Sequence, residues 1–171
     1  MALKLSQPRL VAVDTNVALD FAKGIDDVCD AIATIRARVP GVELWVPPTV
    51  VEEVAHAVIS SKDQEIRRAA FKILRQHREL GLRLFNFIPV GFEYVDEVSQ
   101  SLRRAGLLPK EEVHDSLIVA EAAALNCVLL TSSDDHLRNI DYAKLSRALA
   151  KFDLNAPLIA TPREIVRKFF R

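Results

Sequence analysis

Short apolar runs without polar alternation recur along this chain, and between them apolar residues return every three or four positions. The first pattern reads as strands covered on both faces, the second as amphipathic helices. Residues 10–13 form the first run, which ends at Asp14, and a helical pattern starts at Val17. A second helix is predicted over 25–38, with Val28, Ile32 and Ile35 along one side, stopped by Pro40 and Gly41. Residues 43–46 predict a strand closed by Pro47 and Pro48. Thr49 with Glu52 three residues later reads as the capping box of a helix over 50–60. A further helix is predicted over 63–80, ending at Gly81, then a strand over 82–88 closed by Pro89. Residues 92–105 read as a helix ended by Gly106.

Residues 109–126 predict one long helix, striped by Val113, Leu117, Ala120 and Ala124. Its alanines at 120 and 122–124 point to close packing against a sheet. Residues 127–130 are the next strand, and the polar residues 131–135 are its outgoing loop. Asp141 caps a helix running through Lys151, and residues 158–160 form a short last strand. Thr161, Pro162 and Glu164 then supply the cap, first-turn proline and capping glutamate of a terminal helix. Strands separated by helices define an α/β fold of three layers, a central parallel sheet flanked by helices. The 171 residues suit a single domain spanning 1–171, with a helical elaboration between about 62 and 108.

Charge narrows the functions open to the chain. Lysine and arginine total 23, as do aspartate and glutamate, so no global basic field exists. Any binding of nucleic acid must rest on a local patch. One tryptophan and two tyrosines leave little for base stacking. Arg68, Lys72 and Arg75 recur at helical spacing in a basic stretch from Lys62 to Arg83. They read either as a solvated helix face or as a patch for an RNA backbone, which Arg103, Arg104 and Lys110 would extend. Cys29 and Cys127 are too few for a zinc cluster or disulfide framework, and read as buried thiols of a reducing compartment. Lys4 and Arg9 precede no long apolar run, which argues against a signal peptide. No run of about 18 apolar residues predicts a membrane span. The expectation is a cytoplasmic protein.

Four carboxylates can meet at one end of such a sheet. Asp14 ends the first strand and Asp134 lies just past the strand at 127–130. Glu53 lies early in the helix after the second strand, and Asp115 about one turn inside the 109–126 helix. The carboxyl ends of parallel strands are where open α/β sheets place their sites. Close carboxylates repel, and a hard divalent cation removes that conflict. Mg²⁺ or Mn²⁺ suits an all-carboxylate site better than zinc, because no histidine–cysteine cluster accompanies it. Plain structural roles compete: Asp14 as a helix cap, Glu52 as a capping glutamate, Asp115 beside His114 on a solvated face. Asp134 and Asp135 are adjacent, and position alone does not choose between them.

At these residues the chain resembles PIN-domain ribonucleases of the kind found in VapC-type toxins. The segment Val11–Ala12–Val13–Asp14–Thr15–Asn16 resembles the family's first motif, and Thr49–Val50–Val51–Glu52–Glu53–Val54 its second, which selects Glu53. His114–Asp115–Ser116–Leu117–Ile118–Val119–Ala120, followed by Ala122, resembles the third. Residues 129–137 resemble the fourth and select Asp134, with one extra serine in the loop. The resemblance covers nearly the whole chain. It implies a Mg²⁺- or Mn²⁺-dependent endoribonuclease that hydrolyses RNA with water activated by the ion. Asp14, Asp115 and Asp134 then hold the ion, and Glu53 orients a water or holds a second ion. Thr15, Asn16 and Ser132 contact a carboxylate or the substrate, and no histidine is needed as base. It also implies an antitoxin partner protein, which blocks the pocket with an arginine, and a homodimer.

Competing classes fit less well. An aspartyl phosphatase needs a second Asp where Asn16 stands, and a receiver-like domain needs a lysine after a late strand. Five glycines, none close after Asp14, make no phosphate loop. A non-catalytic binding or regulatory module of the same fold would lose carboxylates, and all four are present. A DNA-directed nuclease remains open, because the preference for RNA comes from the resemblance.

Overall fold

The structure, a computed structural model, describes residues 8–85 and 89–169. Its centre is strand β1 (Arg9–Val13), where Val11, Ala12 and Val13 are all fully buried. Burial of successive residues means that both faces of the strand are covered, as the lack of polar alternation requires. β2 (Val42–Val46) and then β3 (Leu82–Leu84) lie on one side of β1, and β4 (Leu129–Thr131) and then β5 (Leu158–Ala160) on the other. Every pairing is parallel, with Ala12 opposite Trp45 and Leu130. All the carboxyl ends therefore share one edge of the sheet. The protein is an α/β three-layer fold, with its central parallel sheet flanked by helices.

The helices are α1 (Thr15–Lys23), α2 (Asp26–Arg38), α3 (Pro48–Ser60), α4 (Gln64–Gln76), α5 (Pro89–Arg104), α6 (Val113–Ala124), α7 (Asp135–Arg138), α8 (Tyr142–Ala150) and α9 (Pro162–Phe169). α2 packs on α9, α3 on α4, and α5 on α6. Ala120, Ala122 and Ala123 of α6 are buried against the core, where small side chains permit close approach. Between residues 62 and 108 the chain adds α4, α5 and the edge strand β3. No described helix is long and apolar enough to cross a membrane.

Several boundaries differ from those the sequence predicts, for local reasons. The first helix starts at Thr15 rather than Val17, because Asp14 caps it by accepting the Thr15 N–H at 2.7 Å. The long helix starts at Val113, not 109, which puts Asp115 in its first turn. The helix over 63–80 stops at Gln76, and the chain enters β3 through Gly81, whose φ of +66° favours glycine. The strand predicted over 82–88 covers Leu82–Leu84, and residues 86–88 lie outside the described residues. The strand at 127–130 is displaced to Leu129–Thr131, and the loop after it turns into α7 at Asp135. Asp141 caps α8, and Thr161 and Glu164 form the reciprocal capping box of α9. Cys127 is buried and its thiol is pushed up to about 12 by that burial, while Cys29 is only half-buried; both are free.

Thr49 is the largest departure. It caps nothing, because Pro47 and Pro48 open α3 and Glu52 is exposed. Instead Thr49 is buried and donates to Glu121 of α6, from Oγ1 at 2.7 Å and from its backbone N–H at 3.1 and 3.2 Å. Glu121 is 1% exposed, and burial raises its carboxyl to about 7 against the pull of the Thr49 bonds. The contact joins the start of α3 to α6, the two helices that carry Glu53 and Asp115.

A group whose folded value is raised stabilises the fold fully below its unfolded value, and that contribution is lost as pH rises through the folded value. Wild type should therefore lose about 3 kcal/mol at Glu121 between pH 4.5 and 8. Glu121→Gln should abolish that component. Urea unfolding of both proteins at pH 5 and pH 8 checks it: the variant should gain on wild type as pH rises.

Candidate functional site

Asp14 is 4% exposed at the mouth of β1. Its Oδ2 accepts the Ser132 hydroxyl at 2.6 Å, while its Oδ1 caps α1. Ser132 Oγ also accepts the Asp134 N–H at 3.0 Å, so one buried serine connects two of the acids. Burial pushes the Asp14 carboxyl up; the Ser132 and Thr15 bonds oppose this, and the nearby Glu53 and Asp134 charges add to it. Asp14 is thus both the helix cap and a member of the acidic group.

Glu53 is the sixth residue of α3, in the helix's second turn, and is held from two sides. The Thr15 hydroxyl donates to its Oε2, and His114 Nδ1 lies 2.7 Å from its Oε1. His114 is exposed, but it is more than the surface residue that the sequence indicates. Asp115 is raised to about 7 by burial first, and then by the charges of Asp134, Asp14 and Glu112, with His136 opposing. Asp134 is the N-cap of α7 through its Oδ1, which accepts the His136 and Leu137 N–H groups. Asp135 points elsewhere: its side chain is 83% exposed and lies 3.8 Å from Arg138. Asn16 is exposed in the first turn of α1, and Asn139 is exposed at the end of α7.

Two residues outside the predicted set join this edge. Glu112 and His136 form a group with Asp115, whose ligand atoms all lie within 4.8 Å of one another. His136 Nδ1 is 3.3 Å from Glu112 Oε1 and 3.9 Å from both Asp115 Oδ2 and Asp134 Oδ1. These three residues could coordinate a divalent ion. The expected all-carboxylate character is therefore incomplete, since an imidazole stands at the rim. The sequence held one signal for it, a histidine two residues after Asp134. The donor set fits a divalent cation: carboxylate oxygens dominate, and Asp14 and Asp115, raised by burial and further by acidic neighbours, would be relieved by positive charge.

The basic residues divide differently from the expected patch. Arg68, Lys72 and Arg75 are exposed on one face of α4. Lys72 Nζ donates to Ala22 O at 3.0 Å, at the far end of α1 and about 12 Å along that helix from Asp14. Arg75 lies over the Phe71 ring, 5.7 Å from its centroid. Arg103 does not extend the patch, because its guanidinium donates to Ser99 Oγ at 2.7 Å and to Ser116 Oγ. A cleft of about 470 Å³ at the carboxyl edge is lined in part by Ser133, Arg138, Thr161, Arg163 and Arg167. Arg163 there is paired with Asp27 at 2.8 Å.

A parallel α/β sheet with convergent acids at its carboxyl edge and a candidate metal-ligand triad beside them defines the class. The PIN domain family matches residues 11–142, and the chain belongs to that family. Among solved structures it is similar to VapBC2 from Rickettsia felis, crystallised bound to a DNA fragment from their promoter. That likeness has a TM-score of 0.59 at 17% identity, and covers 89% of this chain and 98% of the other. Comparison with curated proteins finds no significant match.

Because Asp115 is raised, its contribution to stability is lost as pH climbs through about 7. Metal-free Asp115→Asn should melt above wild type at pH 8, and the gap should shrink at pH 5. Millimolar Mn²⁺ should raise the wild-type melting temperature by several degrees and the variant's much less. Calorimetric melts at the two pH values, with and without the ion, check both effects.

Proposed function

We propose that this PIN-family protein is a metal-dependent endoribonuclease, acting as the toxin of a toxin–antitoxin pair. The observation that carries the reading is the joint placement of Asp14, Asp115 and Asp134, with Glu53 at their side. Asp14 and Asp115 are raised partly by their acidic neighbours, an arrangement costly to keep without a cation. Asp14, Asp115 and Asp134 hold Mg²⁺ or Mn²⁺ directly or through water. When bound, the ion supplies the charge that ionises the carboxylates together, activates water and stabilises charge on the phosphoryl group.

The chain's own residues do the positioning. Ser132 fixes the Asp14 carboxylate and the turn that presents Asp134. Thr15 and His114 hold Glu53, which orients the attacking water or a second ion. Thr15 and Ser132 spend their hydroxyl protons on carboxylates, so Asn16 is the freer substrate contact on α1. In-line attack leaves a 5′-phosphate and a 3′-hydroxyl. The fold it shares with VapBC2, solved on a promoter fragment, supports the toxin reading and an antitoxin partner protein.

Purified protein should cleave RNA, and not DNA, only when Mg²⁺ or Mn²⁺ is present. Asp14→Asn should lower that cleavage by at least about 100-fold with the circular dichroism spectrum unchanged. Full activity in Asp14→Asn overturns the assignment. Preferential cutting of DNA supports the DNA-directed alternative, and no cutting of either supports a binding module.

We place the RNA backbone along Arg68, Lys72 and Arg75 of α4. Such contacts are electrostatic and independent of sequence. Lys72 is already engaged by Ala22, so the two arginines carry more of the binding. Replacing all three by Ala should lower the logarithmic salt slope by about 1.4 if each arginine loses one phosphate contact. Cleavage at saturating RNA should fall much less than affinity. Fluorescence anisotropy between about 50 and 300 mM salt measures both affinity and slope. Unchanged values would move the RNA path to the cleft at Arg138 and Arg163.

A further inference from the structure

The group of Glu112, Asp115 and His136 is not the set of four acids that the sequence singles out. It shares only Asp115 with them, and it adds a nitrogen donor. We infer that His136 is a ligand of the divalent ion, with Glu112 and Asp115, and that its imidazole biases the centre toward Mn²⁺ over Mg²⁺. This rests on the metal-dependent reading above, because Asp115 belongs to both groups.

The geometry favours coordination over an incidental surface contact. Metal–ligand bonds of about 2.1 Å place neighbouring ligand atoms about 3 Å apart. His136 Nδ1 and Glu112 Oε1 are already at 3.3 Å, and Asp115 Oδ2 at 3.9 Å closes with a small side-chain adjustment. The backbone that carries His136 is fixed, since its N–H bonds Asp134 Oδ1 at 2.7 Å. Glu112 stands at the N-cap of α6, yet its side chain accepts no capping bond there. Its carboxylate instead faces the ring. Glu112, Asp115 and His136 come from two segments, and with Asp14 and Asp134 reaching the ion directly or through water a six-coordinate ion still keeps a position for water or a phosphate oxygen.

The bias follows from donor chemistry. Mg²⁺ takes oxygen ligands and gives up its waters reluctantly. Imidazole nitrogen binds first-row transition ions better, and affinity for a given mixed site rises from Mn²⁺ along that series. An all-carboxylate site would discriminate Mn²⁺ from Mg²⁺ less.

Mn²⁺ binding to the full chain, without RNA, tests this by electron paramagnetic resonance. At stoichiometric Mn²⁺ the pulsed spectrum should show coupling to one imidazole nitrogen, and His136→Ala should remove it. That variant should lose about tenfold in Mn²⁺ affinity and less than about threefold in Mg²⁺ affinity, the latter read by competition. Glu112→Gln should weaken both ions to a similar extent and keep the nitrogen signal. Absence of nitrogen coupling in wild type overturns the assignment, as does a His136→Ala protein that binds Mn²⁺ as wild type does. Nitrogen coupling in a protein that cleaves no RNA upholds the assignment and overturns the nuclease reading. Cleavage without nitrogen coupling does the reverse.

Discussion

Like charges confined at one edge are the constraint on which the rest of this structure turns. Burial raises the Asp14 and Asp115 carboxyls, and the charges of Glu53 and Asp134 beside Asp14, and of Asp134, Asp14 and Glu112 beside Asp115, raise them further. Burial is the larger part of the cost, since an ionised carboxylate taken from water needs compensation. The fold meets part of that cost with hydrogen bonds. Ser132 and the Thr15 N–H compensate Asp14, Thr15 and His114 compensate Glu53, and two backbone N–H groups compensate Asp134. Asp115 receives least, and it is pushed up to about 7. The edge is thus held ready for positive charge.

That readiness depends on contacts away from the edge. Glu53 and Asp115 lie 62 positions apart in the chain, and the buried Glu121–Thr49 contact ties their two helices together. On the other side of α6, Arg103 and Ser99 grip Ser116, the residue next to Asp115. Both contacts use buried polar groups, which are costly unless fully partnered and therefore specify one arrangement. The sheet supplies the remaining precision. Asp14 N–H bonds Thr131 O at 3.0 Å, so the ends of β1 and β4 arrive in register and bring Asp14 beside Ser132.

Opposed local charges make up the zero net charge of the chain. Acids collect where the strands end, while exposed arginines lie on α4 and in the cleft beside α9. Many of the cations are committed elsewhere: Lys72 to a helix end, Arg103 to two serines, Arg163 to Asp27. Counting basic residues in a window overstates the field available to a phosphate.

The sequence by itself determined the layered α/β class, because unalternated apolar runs can be buried only with cover on both faces. It also pointed to acids near strand exits, Asp14, Asp115, and one each of Glu52/Glu53 and Asp134/Asp135, and the resemblance to PIN-domain ribonucleases singled out Glu53 and Asp134. Local capping chemistry was legible at Thr161 and Glu164, whose partners lie within one turn. It misled at Thr49, where the partner, Glu121, lies 72 residues away. Tertiary structure alone decided that Asp134 turns toward the site while Asp135 turns to solvent, through the cap geometry of α7. It alone placed Glu112 and His136 with Asp115, and it set the raised state of Asp115. Those outcomes depend on distances between segments far apart in the chain, and Coulomb energy and desolvation follow spatial separation, not sequence separation.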